Sequence, residues 1–192
     1  MKKLLLLVGA VALFSIAGFA QKAANYAGTW KLDKAQSKLD QRMSAGIDSM
    51  TWTVSQTGNE LKIVSDVKRA EAPMAAPPAG GPPVGGGGGR GMGRGGFGGG
   101  DGTTVYSLDG KETTGELDGP MGKMPVSYKA TTAADGSVVL TSSRTINGPN
   151  GEAKVTTKES WKLSADGKTL TVDRENTSPR GTQTSTLVFV KA

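Results

Sequence analysis

The chain of 192 residues contains no cysteine and no histidine. Without cysteine it can form no disulfide framework, no thiolate nucleophile and no cysteine-ligated zinc or iron–sulfur site. Without histidine it lacks the usual general base near neutral pH, imidazole metal ligands and any Ser-His-Asp triad. Aromatic residues are also few, with three Trp, three Tyr and four Phe. These absences argue against an enzyme, and we expect no catalytic residues, no metal site and no other cofactor.

The first twenty residues have the features of an export signal. Two lysines follow Met1, residues 4–19 are almost wholly apolar, and the run closes with the small-x-small pattern Gly18-Phe19-Ala20. A retained membrane anchor is the alternative, but this apolar run is short for a spanning helix, which needs about 20 residues. We therefore predict a cleaved signal peptide over residues 1–20, a periplasmic or secreted location and a mature chain that does not span a membrane.

A glycine- and proline-rich tract interrupts the rest of the chain. Residues 70–101 hold about half of the 29 Gly and more than half of the 9 Pro. Because the tract lacks the apolar mass that offsets the entropy of ordering, we predict a disordered insertion within a single domain spanning residues 21–192. Its Arg-Gly-Gly character is typical of RNA-binding segments, but it has only two Arg and one Phe and follows an export signal. We expect a flexible surface loop and no nucleic-acid partner, with weak adhesion to anionic polymers or surfaces as the alternative.

The remaining residues predict antiparallel β-structure in a barrel or a sandwich. Short segments rich in Thr, Val and Ser alternate with hairpin signals such as Asp109-Gly110 and Asp166-Gly167, which stand alone and do not form calcium loops. A short helix is predicted over Lys34–Ala45, with Asp33 as its N-cap. Ten strands are predicted: Tyr26–Asp33, Ser49–Gln56, Glu60–Val67, Thr103–Leu108, Lys111–Leu117, Val126–Thr132, Ser137–Ile146, Glu152–Leu163, Lys168–Glu175 and Thr182–Val190.

The hairpin at Asp166-Gly167 predicts which side chains share a face. A two-residue turn there places Trp161 opposite Val172 and Glu159 opposite Arg174. Because side chains alternate along a strand, all four lie in the phase that points into the barrel. The other face of the same strands is polar, which argues against a barrel that presents an apolar band to lipid.

Charged residues in this inward phase are the candidate ligand contacts. Arg144 shares the phase of Leu140 on the preceding strand. A carboxylate beside two guanidinium groups, as Glu159, Arg144 and Arg174 would be, can bind an anionic head group at the mouth of a cavity. Two alternatives stay open. The pair could lie at the sheet end and reach water, where it contributes little to stability, or Val139 could point inward and turn Arg144 outward.

The segment Gly28-Thr29-Trp30 resembles the Gly-x-Trp signature of the lipocalin and wider calycin families. The chain is also similar to small exported bacterial proteins with lipocalin-like domains. These begin with Gly-Thr-Trp-Lys-Leu-Asp and later carry Trp-Lys-Leu-Ser-Ala-Asp-Gly-Lys-Thr-Leu-Thr, as residues 28–33 and 161–171 do here. The second lipocalin motif, the usual Cys pair and the Arg-x-Tyr carboxylate clamp of fatty-acid-binding relatives are absent.

The resemblance implies a fold and a role for its motif. The fold is an all-β, antiparallel up-and-down β-barrel of eight to ten strands with one short helix. In such a barrel Gly28 and Trp30 form the plug of the closed end, and Lys191 or Arg180 covers the Trp30 ring.

Three functions compete for such a chain. The first is a monomeric, non-enzymatic binding module whose interior takes a small hydrophobic or amphipathic molecule. Its contacts would be Trp52, Arg144, Glu159, Trp161, Arg174 and Phe189. The second is an envelope-associated structural protein whose barrel is filled by its own side chains and whose glycine-rich loop makes weak surface contacts. An enzyme ranks last, because Glu159 is the only carboxylate assigned to the inward phase and no paired carboxylate accompanies it.

Overall fold

The computed structural model describes residues 24–69, 102–119, 122–133, 135–148 and 151–192. The predicted signal peptide over residues 1–20 and the predicted disordered insertion over residues 70–101 lie outside the described residues. Within the described ranges, no helix has the length and apolar character needed to cross a membrane.

Ten strands and one short helix follow one another along the chain. In order they are β1 (Gly28–Leu32), α1 (Gln41–Gly46), β2 (Ile47–Thr57), β3 (Glu60–Arg69), β4 (Gly102–Ser107), β5 (Thr113–Gly119), β6 (Gly122–Thr132), β7 (Val138–Gly148), β8 (Gly151–Leu163), β9 (Thr169–Ser178) and β10 (Gly181–Lys191). Each of the ten predicted β-segments corresponds to one of these strands. The agreement follows from the period-2 pattern and the turn residues, which are both local signals.

The strands form one antiparallel sheet in the order β4-β3-β2-β1-β10-β9-β8-β7-β6-β5. Consecutive strands are therefore hydrogen-bonded neighbours except β4 and β5, and β1 also pairs with β10. The hairpin signal at Asp109-Gly110, which lies between β4 and β5, is thus wrong as a sign of strand pairing. The sheet curls into a nearly closed up-and-down barrel, the architecture shared by lipocalins. This confirms the predicted fold class and puts the number of described strands at the upper end of the expected range.

Side chains close the seam between β4 and β5, where the backbone ladder is missing. The ring of Tyr106 on β4 packs edge-on against the ring of Tyr128 on β6, with centroids 5.4 Å apart and an interplanar angle of 75°. The Thr113 hydroxyl donates to the Val105 carbonyl at 3.1 Å. Gly115 makes room for the Tyr128 ring, because a Cβ at this position would lie 2.9 Å from its Cε2 atom.

Alternation of burial along each strand places the core inside the barrel. On β8, Thr157, Glu159 and Trp161 are buried, whereas Lys158 and Lys162 are exposed. The same alternation on β7 buries the even-numbered positions, so the alternative with Val139 inward is excluded. Because residues i and i+2 share a face, this phase also brings Arg144 into the barrel.

The predicted helix over Lys34–Ala45 is wrong over its first half. The Asp33 carboxylate accepts a hydrogen bond from the Gln36 amide at 3.1 Å, which stabilises a single turn. The chain then returns to the sheet, where the amide of Lys38 donates to the Thr186 carbonyl at 2.7 Å and that of Thr186 donates to the Lys38 carbonyl at 2.9 Å. Pairing with β10 satisfies these backbone groups and prevents them from joining a helix.

The helix that forms is α1, and Asp40 rather than Asp33 precedes it. The Asp40 carboxylate accepts a hydrogen bond from the Met43 amide at 3.0 Å, as an N-cap does. Met43 and Leu39 are partly buried and pack against the core. The helix is therefore shorter than predicted.

Candidate functional site

Three charged side chains lie inside the barrel, one on each of three neighbouring strands. Among the described residues, the buried charged residues are Arg144 on β7, Glu159 on β8 and Arg174 on β9, exposed by 8%, 8% and 5%. Glu159 lies directly opposite Arg174, which confirms the predicted register. Their burial excludes the alternative in which the pair reaches water at the sheet end. The described interior therefore holds two guanidinium groups and one carboxylate, an excess of one positive charge.

Both oxygens of the Glu159 carboxylate have a buried partner. Oε1 accepts a hydrogen bond from Nε of Arg174 at 2.8 Å, and Nη2 of Arg174 lies 2.7 Å from the same oxygen. Oε2 accepts a hydrogen bond from the indole nitrogen of Trp161 at 2.9 Å. The carboxylate therefore links the guanidinium to an aromatic ring, and such a fully bonded arrangement holds both side chains in one geometry.

The Arg174 guanidinium has more donors than acceptors in the described part of the chain. Nη2 lies 2.7 Å from the Glu159 carboxylate in the ion pair, and no further partner for this atom is found there. Nη1 contacts the Met43 sulfur at 3.8 Å, and a thioether is a weak acceptor. The ring of Trp52 lies 6.0 Å from the guanidinium carbon, where a cation–π contact adds a modest attraction. A buried guanidinium with unused donors is suited to an oxygen-bearing ligand.

Tyr106 and Tyr128 also belong to this site, although neither was predicted from the sequence. Burial raises the pKa of Tyr106 well above its usual range, with additional effects of Glu159 and Tyr128, while Arg174 and a hydrogen bond with Ser142 oppose the rise. Burial likewise raises the pKa of Tyr128, opposed by a hydrogen bond with Thr104 and by the charge of Arg144. Both phenols therefore stay protonated at neutral pH. Tyr128 lies two residues from Val126 and two from Ala130, and this period-2 pattern could have identified it as an inward-pointing residue.

Arg144 lies in the same polar region of the interior. Burial lowers the pKa of its guanidinium, and interaction with Tyr128 opposes that shift. Because arginine remains protonated even after such a shift, the site keeps its positive charge. We refer to Arg144, Glu159, Arg174, Tyr106 and Tyr128 as the charged cluster.

The predicted aromatic contacts form a continuous stack next to the charged cluster. Trp52 stacks on Trp161 with centroids 5.2 Å apart and on Phe189 with centroids 4.2 Å apart. Tyr26 meets Trp161 edge-on at 5.6 Å. Tyr26, Trp161 and Phe189 have no exposed surface and Trp52 is 3% exposed, so these rings pack directly on one another. We refer to these four residues as the aromatic cluster, and its packing leaves little room for a ligand between its rings.

The predicted plug residues lie where the first and last strands meet. Trp30 has no exposed surface, and its indole nitrogen donates to the Tyr26 carbonyl at 2.8 Å. The Lys191 ammonium lies 5.2 Å from the centre of its ring, so Lys191 rather than Arg180 is the cation beside Trp30. Gly28 makes this approach possible, because a Cβ there would lie 2.7 Å from Cε of Lys191. The role of Gly28 and Trp30 as a barrel plug stays a prediction.

Comparisons with known proteins give one structural similarity. No protein-family model matches the chain, and no curated protein sequence matches it. The chain is similar to a crystal structure of zebrafish ileal bile acid-binding protein complexed with cholic acid, at 13% identity, with a TM-score of 0.45 and coverage of 88% of this chain and all of that one. A similarity at this level does not indicate what this chain binds.

The described residues offer few candidates for a metal site or a catalytic site. In the ranges that the structure describes, no three carboxylate, His or Cys side chains form a group that could hold a metal ion. The buried Glu159 is occupied by Arg174 and Trp161. The donor-rich charged cluster is therefore better suited to holding a ligand than to transferring a proton.

Proposed function

We propose that this chain is an exported, non-enzymatic binding protein that takes a small amphipathic molecule with an anionic head group into its barrel. The observation that carries the proposal is the weakly satisfied Arg174 guanidinium, which is 5% exposed and whose Nη1 atom has the Met43 sulfur, a poor acceptor 3.8 Å away, as its contact among the described residues. Buried donors of this kind cost free energy unless an acceptor is supplied. A carboxylate, sulfonate or phosphate oxygen is the acceptor that guanidinium groups bind best.

The charge of the interior supports an anionic rather than a neutral head group. Arg144 and Arg174 outnumber Glu159, so the described interior carries an excess positive charge. The tyrosine hydroxyls of the charged cluster, held protonated by burial, add donors that are not charged. An anionic group bound there would neutralise the excess charge in a region of low dielectric, where the attraction is strong.

Packing supports a compact ligand that is held mainly by the charged cluster. The aromatic cluster has almost no exposed surface, whereas each member of the charged cluster keeps between 5% and 8%. The apolar part of the ligand would therefore contact the edges of Trp52 and Tyr128 rather than enter the stack. The export signal over residues 1–20 supports a periplasmic or secreted location and a mature chain that starts at Gln21.

The first experiment is native mass spectrometry of the mature protein purified from its own cell envelope, followed by solvent extraction. We expect a mass that begins at Gln21 and one class of anionic amphipathic molecule in the extract. A mass that retains residues 1–20 would contradict the cleaved export signal.

A pair of fluorescent probes tests the preference for an anionic head group. Anilinonaphthalene sulfonate carries a sulfonate, and phenylnaphthylamine has similar rings without it. We expect the sulfonate to bind more tightly, and Arg144→Met to weaken it by about 10- to 100-fold. Arg180→Met is the matched control, because Arg180 is an exposed arginine in the turn between β9 and β10. Equal loss in both variants would mean that the sulfonate binds to the outer surface.

The second candidate function is a structural protein with a barrel filled by its own side chains. It is favoured by the close packing of Trp30, Trp161 and Phe189, none of which has exposed surface. A bare mass in the native spectrum, together with no binding of either probe, would support this function and contradict the first.

A further inference from the structure

Met43 brings a sulfur atom to the most donor-rich group of the interior. It lies on α1, is half-buried and packs against the core. Its sulfur lies 3.8 Å from Nη1 of Arg174, a residue 131 positions away in the chain. The hydrogen bond that the Met43 amide donates to the Asp40 carboxylate holds this part of α1 in place. Because the chain has no cysteine, methionine is its only sulfur-bearing residue.

The contact between sulfur and guanidinium is a weak one for Arg174. A thioether accepts hydrogen bonds poorly, whereas an oxygen bonded to the same sulfur accepts them well. The distance of 3.8 Å between Sδ and Nη1 leaves space for a sulfoxide oxygen at hydrogen-bond distance from the nitrogen. Oxidation would thus convert a weak contact into a charge-assisted hydrogen bond.

We propose that Met43 is an oxidation site whose sulfoxide binds Arg174 and competes with an anionic ligand for the same donors. The oxidant is a peroxide. A lone pair of the thioether sulfur attacks one oxygen of hydrogen peroxide, the S–O bond forms as the O–O bond breaks, and the departing hydroxide takes the proton of the transferred oxygen and leaves as water. Sulfur is oxidised by two electrons and the peroxide is reduced. The guanidinium beside the sulfur stabilises the negative charge that develops on the departing oxygen.

Two other described methionines serve as internal controls. Met50 on β2 is 1% exposed, so peroxide cannot reach its sulfur without opening of the barrel. Met124 on β6 is half-buried, as Met43 is, and lies opposite Leu117 of β5. Burial alone therefore predicts similar oxidation rates for Met43 and Met124, and the guanidinium contact predicts a faster rate for Met43.

The first test exposes the mature protein to hydrogen peroxide and follows each methionine by peptide mass spectrometry. We expect the Met43 sulfoxide to form at least about 10-fold faster than the Met50 sulfoxide, as burial requires, and several-fold faster than the Met124 sulfoxide. A rate at Met43 equal to or below that at Met124 would overturn the proposal.

The second test uses the amide oxygen of glutamine in place of the sulfoxide oxygen. Met43→Gln supplies an acceptor for Nη1 of Arg174, and Met43→Leu is the control of similar size without one. We expect the midpoint of thermal unfolding to be about 2 to 4 °C higher for the Gln variant than for the Leu variant. A Gln variant that unfolds at or below the temperature of the Leu variant would mean that the acceptor does not reach Arg174, and this also overturns the proposal.

Only the competition with a ligand rests on the proposed function. We expect Met43→Gln to bind anilinonaphthalene sulfonate about 10-fold more weakly than Met43→Leu does, because its amide oxygen occupies an Arg174 donor. If neither variant nor the unaltered protein binds the sulfonate, the proposed function fails while the oxidation rates and unfolding temperatures still decide the modification site. Equal binding by the two variants, with binding by the unaltered protein, would overturn the competition.

Discussion

Glu159 and Arg174 lie opposite each other on adjacent strands and form an ion pair inside the barrel. Nε of Arg174 is 2.8 Å from Oε1 of Glu159, and the two residues are 5% and 8% exposed. Water reaches so little of these side chains that neither charge is fully hydrated. Each charge is therefore stabilised mainly by the other. The consequences of removing one partner therefore differ from those of removing both.

Replacing Arg174 with Met should lower the free energy of unfolding by about 3 to 5 kcal/mol, because it leaves the Glu159 carboxylate buried without its cation. The double variant Glu159→Gln/Arg174→Met should lose much less, since no charge is left unpaired. Urea unfolding at neutral pH measures both. The control is Lys123→Met, which removes an ion pair with Glu116 whose side chains are 69% and 61% exposed and should cost no more than about 1 kcal/mol. A loss for Arg174→Met as small as the control's would contradict the burial of the pair.

Gly28→Ala should displace Lys191 from the Trp30 ring. Gly28 has a φ of 144°, and a Cβ there would lie 2.7 Å from Cε of Lys191. We expect a loss of about 1 to 3 kcal/mol, mostly from backbone strain at this φ, because the end of the Lys191 side chain can move aside. Gly58→Ala is the matched control, because Gly58 has a φ of 57° with no atom within 4 Å of the added Cβ, so backbone strain of about 1 kcal/mol is its whole cost.

A second variant separates the clash from the strain. In a Lys191→Ala background, the cost of Gly28→Ala should fall by the part that displacing Lys191 contributes, while the backbone strain of a φ of 144° should remain. Thermal or urea unfolding of the four variants measures the difference. An unchanged cost would show that Lys191 does not limit the space at Gly28.

Gly115→Ala tests the closure of the barrel between β4 and β5. The added Cβ would lie 2.9 Å from the Tyr128 ring, which must then move away from Tyr106. We expect a loss of about 1 to 3 kcal/mol and faster hydrogen exchange of the β5 amides. Gly46→Ala, with no atom within 4 Å of the added Cβ, should be neutral or slightly stabilising. Unchanged exchange in β5 would mean that the tyrosine contact does not hold the seam.

Alkaline pH should destabilise the protein through its buried tyrosines. Burial raises the pKa of Tyr26 to about 12, and its hydroxyl donates to the carbonyls of Gly136 and Trp161. Because the unfolded value is near 10, the folded state favours the protonated phenol, and its stabilising effect is complete below about pH 10 and is lost as the pH rises toward 12.

The measurement is the free energy of unfolding in urea across this pH range, together with the ultraviolet absorbance of tyrosinate. Tyr26→Phe should show a smaller fall, since Tyr106 and Tyr128, whose pKa values are also raised, keep contributing. Titration of all three tyrosines in the folded protein at the value of free tyrosine would contradict the burial of these hydroxyls.

Hairpin register was predictable because it depends on neighbouring segments. The turn at Asp166-Gly167 places Glu159 opposite Arg174 and Trp161 opposite Val172 whatever the rest of the chain does. The helix was predicted less well, because Lys38 pairs with β10 across a separation of nearly the whole described chain. A local sequence pattern carries no information about such a distant partner. The hydrogen bonds with β10 took the backbone groups that the first half of the helix would have used, so the helix is shorter than predicted.

The sequence by itself determined the ten strands, their alternation and the pairing of Glu159 with Arg174, because side-chain period and turn chemistry act over a few residues. Tertiary structure alone decided that this pair is buried, that Lys191 covers Trp30, that Tyr106 meets Tyr128 across the seam and that Met43 lies beside Arg174. Each of these contacts joins residues whose separation in space depends on how far the sheet curls before its edges meet. That curvature is the sum of the twist and packing of all the strands, so no single segment of the sequence encodes it.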